Sequence, residues 1–482
     1  MESRNEQQLD RQPTRRARVW TPLFVLTIAI TFFAFVAGQG LNMGMSVYVE
    51  HLSGTATFAG LLAAVFSASA AVARIVMGPV IDSRGRMVIM VTGSAVLAIG
   101  VLLPGLFPNE TVLVVSRFIQ GVGFASATTA AATAAADVLP NARMAEGIGY
   151  YGLGQALATS VGPAFALYLL GTDPAENLFF VMAAIAGVAC ALSASCRYER
   201  HPEMLPEDAA YRERVEAERA RAQAAAEAPA SRTDGTAPSP SADGTAPAYD
   251  TGAPATTHGA TSVPPSASAT GTATAAGSAM PAPSTSPRGL ARIFEPRALP
   301  GAIPMLFMSS AFGFAVTFAG LYGESLGIGN AGMFYTCSAV SMIAIRLASK
   351  PLMDALLPIV TFAIAAVCGL AAFVLLLAAG AAPAGDALFY LAGLFYGVCL
   401  GVSLPLNQSV AVANTPPERW GAANALYLLA SDAGIGIASI VWGITNDTFG
   451  FTFTICCVIA CIVISYLLAW VVYPVNAKRR PR

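Results

Sequence analysis

The chain has 482 residues, 55% of them hydrophobic and 11% charged, with 27 Lys+Arg against 28 Asp+Glu and a mean hydropathy of +0.61. Soluble domains carry about 25% charged residues, so this chain cannot cover a globule of its size with charge, and a sequence this apolar does not stay disordered. An ordinary soluble enzyme, a disordered protein and a basic nucleic-acid binder are excluded. An all-α membrane protein remains, because helices satisfy their own backbone polar groups in lipid.

A tail over 1–19, with Arg4, Arg11, Arg15, Arg16 and Arg18, leads into an apolar run from Val19 past Gly40. That run exceeds a signal-peptide core and has no small-residue cleavage site after it, so it reads as a first transmembrane helix. Runs of roughly 20 residues, enough to span a bilayer, recur at 20–48, 56–80, 87–106, 111–136, 146–170 and 178–196. A second series follows at 301–323, 332–353, 355–380, 386–413, 422–445 and 451–474. The pattern predicts about twelve helices in two six-helix bundles, over 20–196 and 301–475, and a basic tail over 476–482. Between the bundles, 197–300 opens with a charged helical stretch, Glu207–Glu227, and continues as Ala/Ser/Thr/Pro/Gly sequence. Such composition cannot bury a core, so this segment reads as a flexible cytoplasmic linker.

The basic residues predict the topology. Arg84 and Arg86 fall in the 2–3 turn, Arg143 in the 4–5 turn, Lys350 and Arg419 in the 8–9 and 10–11 turns, and Lys478, Arg479, Arg480 and Arg482 in the C-terminal tail. With both termini in the cytoplasm, no Lys or Arg lands in an outside loop, and the positive-inside rule holds throughout. Arg74, Arg117 and Arg346 lie inside helices. Trp20, Trp442, Trp470 and Tyr473 read as interface anchors. The expected location is the cell (plasma) membrane, as a multi-pass monomer.

The two series repeat each other. "YVEHL" at Tyr48–Leu52 parallels "YGESL" at Tyr322–Leu326, and "ARIVMGPVID" at Ala73–Asp82 parallels "IRLASKPLMD" at Ile345–Asp354. Arg74 thus matches Arg346, Pro79 matches Pro351 and Asp82 matches Asp354. Pro140 and Arg143 likewise match Pro416 and Arg419. A repeat with an even number of helices keeps its orientation, which predicts a parallel pseudo-two-fold along the membrane normal and a solute site near the midplane. That architecture implies a carrier of small solutes.

The 2–3 turn reads "GPVIDSRGRMVIM", Gly78–Met90. Here the chain resembles the major facilitator superfamily, whose signature fits Gly78, Asp82, Gly85 and Arg86; Ser83 stands where the family often has Arg. The resemblance implies a cytoplasmic gate, with Asp82 capping a helix of the other bundle and Arg84, Arg86 and Arg143 pairing with nearby acids. "RFIQGVGFASA", Arg117–Ala127, resembles the helix-4 motif of proton-coupled members. The resemblance gives Arg117 to proton coupling, with Gln120 facing the same way; the competing reading of Arg117 is a structural tie to helix 1 or 2. In helix 5, Gly162-Pro163 resembles the kink of antiporter-type exporters, although Ala166 replaces a later glycine of that motif.

Asp432, in "YLLASDAGIGIAS", is the costliest residue of the apolar segments and a functional candidate by default. It reads as the titrating proton site or an anchor for a cationic substrate. Gln39, Asn42, Gln120, Tyr151 and Gln155 are candidate cavity polars; Tyr150, Asn407, Gln408 and Asn424 are weaker ones. Neither a cofactor nor a metal is expected, since the eight cysteines lie in or beside apolar runs and the three histidines are scattered. No P-loop is present to drive pumping by ATP, and no intramembrane protease motif. The expected function is alternating-access transport of small organic molecules, by proton-coupled export like the bacterial drug and sugar exporters. The alternatives are a proton-coupled uptake symporter and a carrier-fold sensor. The expected partners are the substrate, the proton and the lipid bilayer, with no nucleic acid.

Overall fold

The computed structural model describes residues 18–53, 55–140, 143–171, 174–227, 295–383, 385–413, 415–416 and 419–473. Their secondary structure is helical. In chain order the helices are α1 (Pro22–Ser53), α2 (Ala56–Arg84), α3 (Arg86–Leu106), α4 (Glu110–Val138), α5 (Met144–Leu170) and α6 (Asn177–Ser195). Then come α7 (Ala210–Glu227), α8 (Leu299–Ser325), α9 (Met333–Ala355), α10 (Pro358–Ala381), α11 (Gly385–Ala413) and α12 (Trp420–Val472). Ten of these helices are long and apolar enough to cross a membrane, and α9 has a shorter apolar part, Met333–Arg346.

The sequence predicts two helices, over 422–445 and 451–474; α12 consists of two helices that meet at Gly450, whose φ of 81° and ψ of 171° are not helical. At 1.5 Å per residue the arms before and after Gly450 are roughly 45 Å and 33 Å long, each enough for the roughly 30 Å of a bilayer core. It is two membrane-length arms joined at one glycine, whose missing Cβ permits the positive φ.

The same pairs of helices pack, in order, through the two series. In α1–α6 the first helix lies on the fifth, the second on the fourth, and the third on the fourth and sixth. In the second series α8 lies on α12, α9 on α11, and α10 on α11 and α12. Across the series, α2 packs on α12, α5 on α9 and α1 on α8. One buried cluster runs through α8–α12 and takes in Met43, Val47 and Ala156; two others fill the first series. The outward faces keep large apolar side chains such as Val367, Phe118 and Trp470 (68% exposed), as expected where lipid is the solvent.

Small residues set the helix spacing, because packing rather than hydrophobicity drives association in lipid. A Cβ at Gly40 of α1 would lie 2.7 Å from the Gly162 carbonyl oxygen of α5, and one at Gly162 would lie 3.0 Å from the Gly40 nitrogen. Two of the expected interface anchors have another role. Trp442 is buried and donates from Nε1 to the Ser310 carbonyl at 3.0 Å; Tyr473 is buried and its hydroxyl donates to Asn407 Oδ1 at 2.9 Å. Trp20 and Trp470 are exposed.

The chain divides into two units, Met1–Glu218 with Arg288–Arg482, and Arg219–Pro287. Residues of the first unit just after α6 are packed chain. Cys196, Tyr198, Leu205 and Ala209 are buried among residues near the start of α3 and the end of α4, and Ala210 donates its N–H to the Leu139 carbonyl at 2.9 Å. In the second unit the described residues are the C-terminal part of α7, and of the predicted linker, 197–300, the part over 228–294 lies outside the described residues.

Replacing Gly162 by Leu should force α1 and α5 apart and lower the melting temperature by several degrees, because overpacking typically costs about 1–3 kcal/mol. Leu at Gly187, where nothing lies within 4 Å, should leave it unchanged. Fluorescence-detected thermal unfolding of both variants in detergent is the measurement.

Candidate functional site

The helices α2 and α12 cross antiparallel and bring together an ion pair from distant parts of the sequence. Arg74 Nε donates to Asp432 Oδ2 at 2.7 Å, with the side chains only 9% and 17% exposed. Arg74 Nη1 donates to Thr129 Oγ1 of α4 at 3.2 Å, and its guanidinium lies 5.8 Å from the Phe124 ring centroid. A lone carboxylate in an apolar helix is costly; here a guanidinium in charge-assisted contact offsets that cost.

Arg117 occupies a different environment. Its side chain is 1% exposed and lies wholly within the first series. Nη1 donates to Asn42 Oδ1 at 3.0 Å and to Gln120 Oε1 at 3.1 Å, and Nη2 donates to the Leu41 carbonyl at 2.8 Å. Gln120 Nε2 donates to the Gly100 carbonyl at 2.8 Å, and Asn42 Nδ2 to Gln39 Oε1 at 3.0 Å. Gln39, Asn42, Arg117 and Gln120 thus form one network tying α1, α3 and α4, built from neutral acceptors. Two rings stand between this network and the ion pair: Arg117 lies 5.8 Å from the Phe66 ring centroid, and Phe66 and Phe124 have ring centroids 5.4 Å apart.

The remaining predicted polars are dispersed. Tyr151 of α5 shares a hydrogen bond with Thr31 of α1 at 2.7 Å, Gln155 is half-buried on α5, and Gln408 donates to Asn424 at 2.7 Å. Gly162 and Pro163 lie within the continuous helix α5.

A second charged cluster sits where α2 turns into α3. Gly85 carries a φ of 91°, so the glycine of the motif supplies a conformation that other residues resist. Arg86 Nε lies 2.9 Å from Asp137 Oδ2, and Asp137 is 2% exposed. Arg214 of α7 reaches the other oxygen, Asp137 Oδ1, and the Tyr198 hydroxyl donates to Oδ2 at 2.9 Å. Glu199 accepts the N–H groups of Arg86 and Met87 at 2.8 and 2.9 Å and so caps α3. Burial, with the carboxylates of Asp137 and Glu199 nearby, pushes the Tyr198 phenol above its ordinary value, so it stays a donor. Burial likewise pushes the Cys196 thiol up to about 12, which leaves it protonated and inert.

Arg143 pairs with Glu146 one turn along α5, at 2.7 Å. At the matching place in the second series, Arg419 pairs with Glu295 at 2.8 Å. Gly78 and Asp82 fall in α2, and the Asp82 side chain lies outside what the structure describes.

Sequence reasoning singled out Asp432 and Arg86 but not their partners Arg74, Asp137 and Glu199, nor Arg214. Arg74 carried a usable signal, as an arginine inside an apolar helix repeated at Arg346. Asp137 carried only its place at a helix end.

Asp137→Asn should remove the anion shared by two arginines. Breaking a buried pair costs about 3–5 kcal/mol, so the segment after α6 should undock and trypsin should cut at Arg197, Arg200 or Arg214 several-fold faster than in the parent protein. Limited proteolysis followed by mass spectrometry reads this directly.

The comparisons with known proteins fit this architecture. The family model described as Major Facilitator Superfamily matches residues 27–383 and 359–482. Two solved structures of the nucleoside transporter NupG, one of a point mutant and one of NupG itself, superpose with TM-scores of 0.62 and 0.59. Both are 11% identical in sequence and cover 94% of this chain, and the alignments cover 100% and 98% of those chains. At that identity the likeness concerns the fold alone. Among curated proteins, the efflux pump radE of Floropilus chiversii is 26% identical over 189 residues, 39% of this chain. The match spans about a third of that relative's length (35%). A family match across nearly the whole helical sequence, on a fold shared with a solved transporter, means that this chain belongs to the Major Facilitator Superfamily.

Proposed function

We propose that the protein is a proton-coupled secondary transporter that exports small organic molecules by alternating access. The observation that carries this reading is the Arg74–Asp432 pair at 2.7 Å, a titratable bond joining α2 of the first series to α12 of the second. A proton on Asp432 removes the carboxylate charge and leaves Arg74 without its anion, so protonation weakens a tie between the two halves. Such a tie couples proton binding to the relative movement of the helices that bear it. Arg117, separated from this pair by the Phe66 and Phe124 rings, is the second residue of the coupling machinery in this reading.

In this reading α12 counts as two spans, which makes twelve in all. The two six-helix bundles are related by a parallel pseudo-two-fold, consistent with the repeated order of packing. Both termini and the 197–300 linker lie in the cytoplasm, and the protein acts as a monomer in the plasma membrane. Gly78, Asp82, Gly85, Arg86 and Arg143 form the cytoplasmic gate, with Asp137 and Glu199 as partners of Arg86. The export direction is supported by the similarity to the efflux pump radE of Floropilus chiversii and by the Gly162-Pro163 pair of α5.

The test is transport in everted membrane vesicles with an imposed pH gradient and a panel of drug-like and sugar-like compounds. Asp432→Asn should abolish gradient-driven flux without reducing the amount of inserted protein, and Arg74→Ala should lower flux at least tenfold. Unchanged flux in Asp432→Asn sinks the coupling role. Arg117→Ala should also lose gradient-driven flux; full flux in that variant would return Arg117 to a structural tie.

A further inference from the structure

The seam between α2 and α12 has a second polar contact, at the end of α2 far from Arg86. Helix α2 starts at Ala56 without a cap of its own. Its N-cap residue, Thr55, is extended and its side chain makes no capping hydrogen bond. The first N–H groups of a helix have no partner within the helix and require one from outside. Here they find it on the other series. Asp447 Oδ1 accepts from the Ala56 N–H at 3.0 Å, and Oδ2 accepts from the Thr57 N–H at 2.8 Å. The carboxylate also sits at the positive end of the α2 dipole.

The contact belongs to a register that continues along both helices. A Cβ at Gly443 would lie 2.8 Å from the Ala56 carbonyl oxygen and 2.9 Å from Thr57 Cα. Gly60 packs directly on the Ser439 carbonyl oxygen, and a Cβ at Gly436 would lie 2.9 Å from Ser67 Cβ. Asp432 then meets Arg74. Positions 432, 436, 439, 443 and 447 are three or four residues apart, so they form one stripe of α12. Asp432 and Asp447 are about 22 Å apart along it. The seam is closed at one end by an ion pair and at the other by a carboxylate on a helix terminus, with glycines allowing backbone contact between them.

We propose that Asp447 is a latch: a helix cap supplied by the opposite half, which holds the Ala56 end of the seam shut and is withdrawn when that end opens. The inference rests on the alternating-access reading for its purpose, but its geometry does not require proton coupling. Parting the two helices leaves the Ala56 and Thr57 N–H groups and the Asp447 carboxylate without each other. The same movement separates the glycine contacts, so the cap and the packing are lost together. Residue 447 therefore sets the balance between closed and open forms at this end of the molecule.

Hydrogen–deuterium exchange of the full-length protein in lipid nanodiscs, without substrate or pH gradient, tests the latch apart from transport. In the parent protein the Ala56 and Thr57 amides should be protected, unlike the usual first amides of a helix. Asp447→Ala should speed their exchange roughly tenfold, and Asp447→Asn, which keeps one acceptor oxygen, should fall between. Gly443→Ala should speed the same amides by wedging the seam from the other side.

A second reading uses Ser67→Cys in a background with the eight native cysteines replaced. The reaction of the introduced thiol with an impermeant maleimide from the Ala56 side should rise several-fold on adding Asp447→Ala. Unchanged exchange at 56 and 57 in Asp447→Ala would overturn the proposal. So would faster exchange with no gain in labelling at position 67, which would make Asp447 a local end-cap, or acceleration spread evenly through the chain, which would mean general destabilisation. If the exchange and labelling respond as expected while pH-gradient-driven flux is absent in the parent protein, the coupling reading fails and the latch stands.

Discussion

A polar group inside an apolar helical bundle must be answered by another polar group, because neither lipid nor side-chain packing supplies one. The structure is organised around the few places where that demand is met between helices far apart in sequence. Asp432 is answered by Arg74 across 358 positions of chain, and the start of α2 by Asp447 across 391. Arg117 is answered by amide and carbonyl oxygens of α1 and α4, and Asp137 by two arginines and a tyrosine. Each contact chooses which helices are neighbours, since alternatives would strand a charge or an N–H in a medium of low dielectric.

These contacts differ in how readily they give way. The Arg117 network is buried inside one series and is held by neutral acceptors. The Arg74–Asp432 pair and the Asp447 cap lie between the two series, and Asp447 is exposed. Their partners can be rehydrated when the helices part, which lowers the cost of separation. Glycine governs the same distinction. Gly40 and Gly162 lock α1 to α5 within one half, whereas Gly60, Gly436 and Gly443 let α2 and α12 meet along a surface that holds few long side chains to interlock. Smooth backbone contact fixed by two polar points suits a joint that opens and closes.

The Arg86 end is built differently. Glu199 caps α3 and Asp137 gathers Arg86, Arg214 and Tyr198, so the chain that leaves α6 is pinned to α3 and α4 before it enters the low-complexity segment. The first part of the region between the two series is therefore a structural element of the first one, although its charged composition resembles a solvated spacer.

The sequence by itself determined where the apolar helices lie, because hydropathy and span length are local quantities. The eleven starts from α1 to α6 and from α8 to α12 fall within three residues of the predicted ones. It also exposed the repeat, the glycine turn at Gly85 and the candidacy of Asp432, since an acid within an apolar run is conspicuous without any structure. Only the tertiary structure decided the partners. That Arg74 rather than Arg117 meets Asp432, that Asp137 holds Arg86, that Trp442 and Tyr473 are interior donors, and that Asp447 caps a helix of the other half depend on rotation and register between helices. Those are settled by packing over the whole fold, and an amphipathic pattern does not encode them when every face of a helix is apolar.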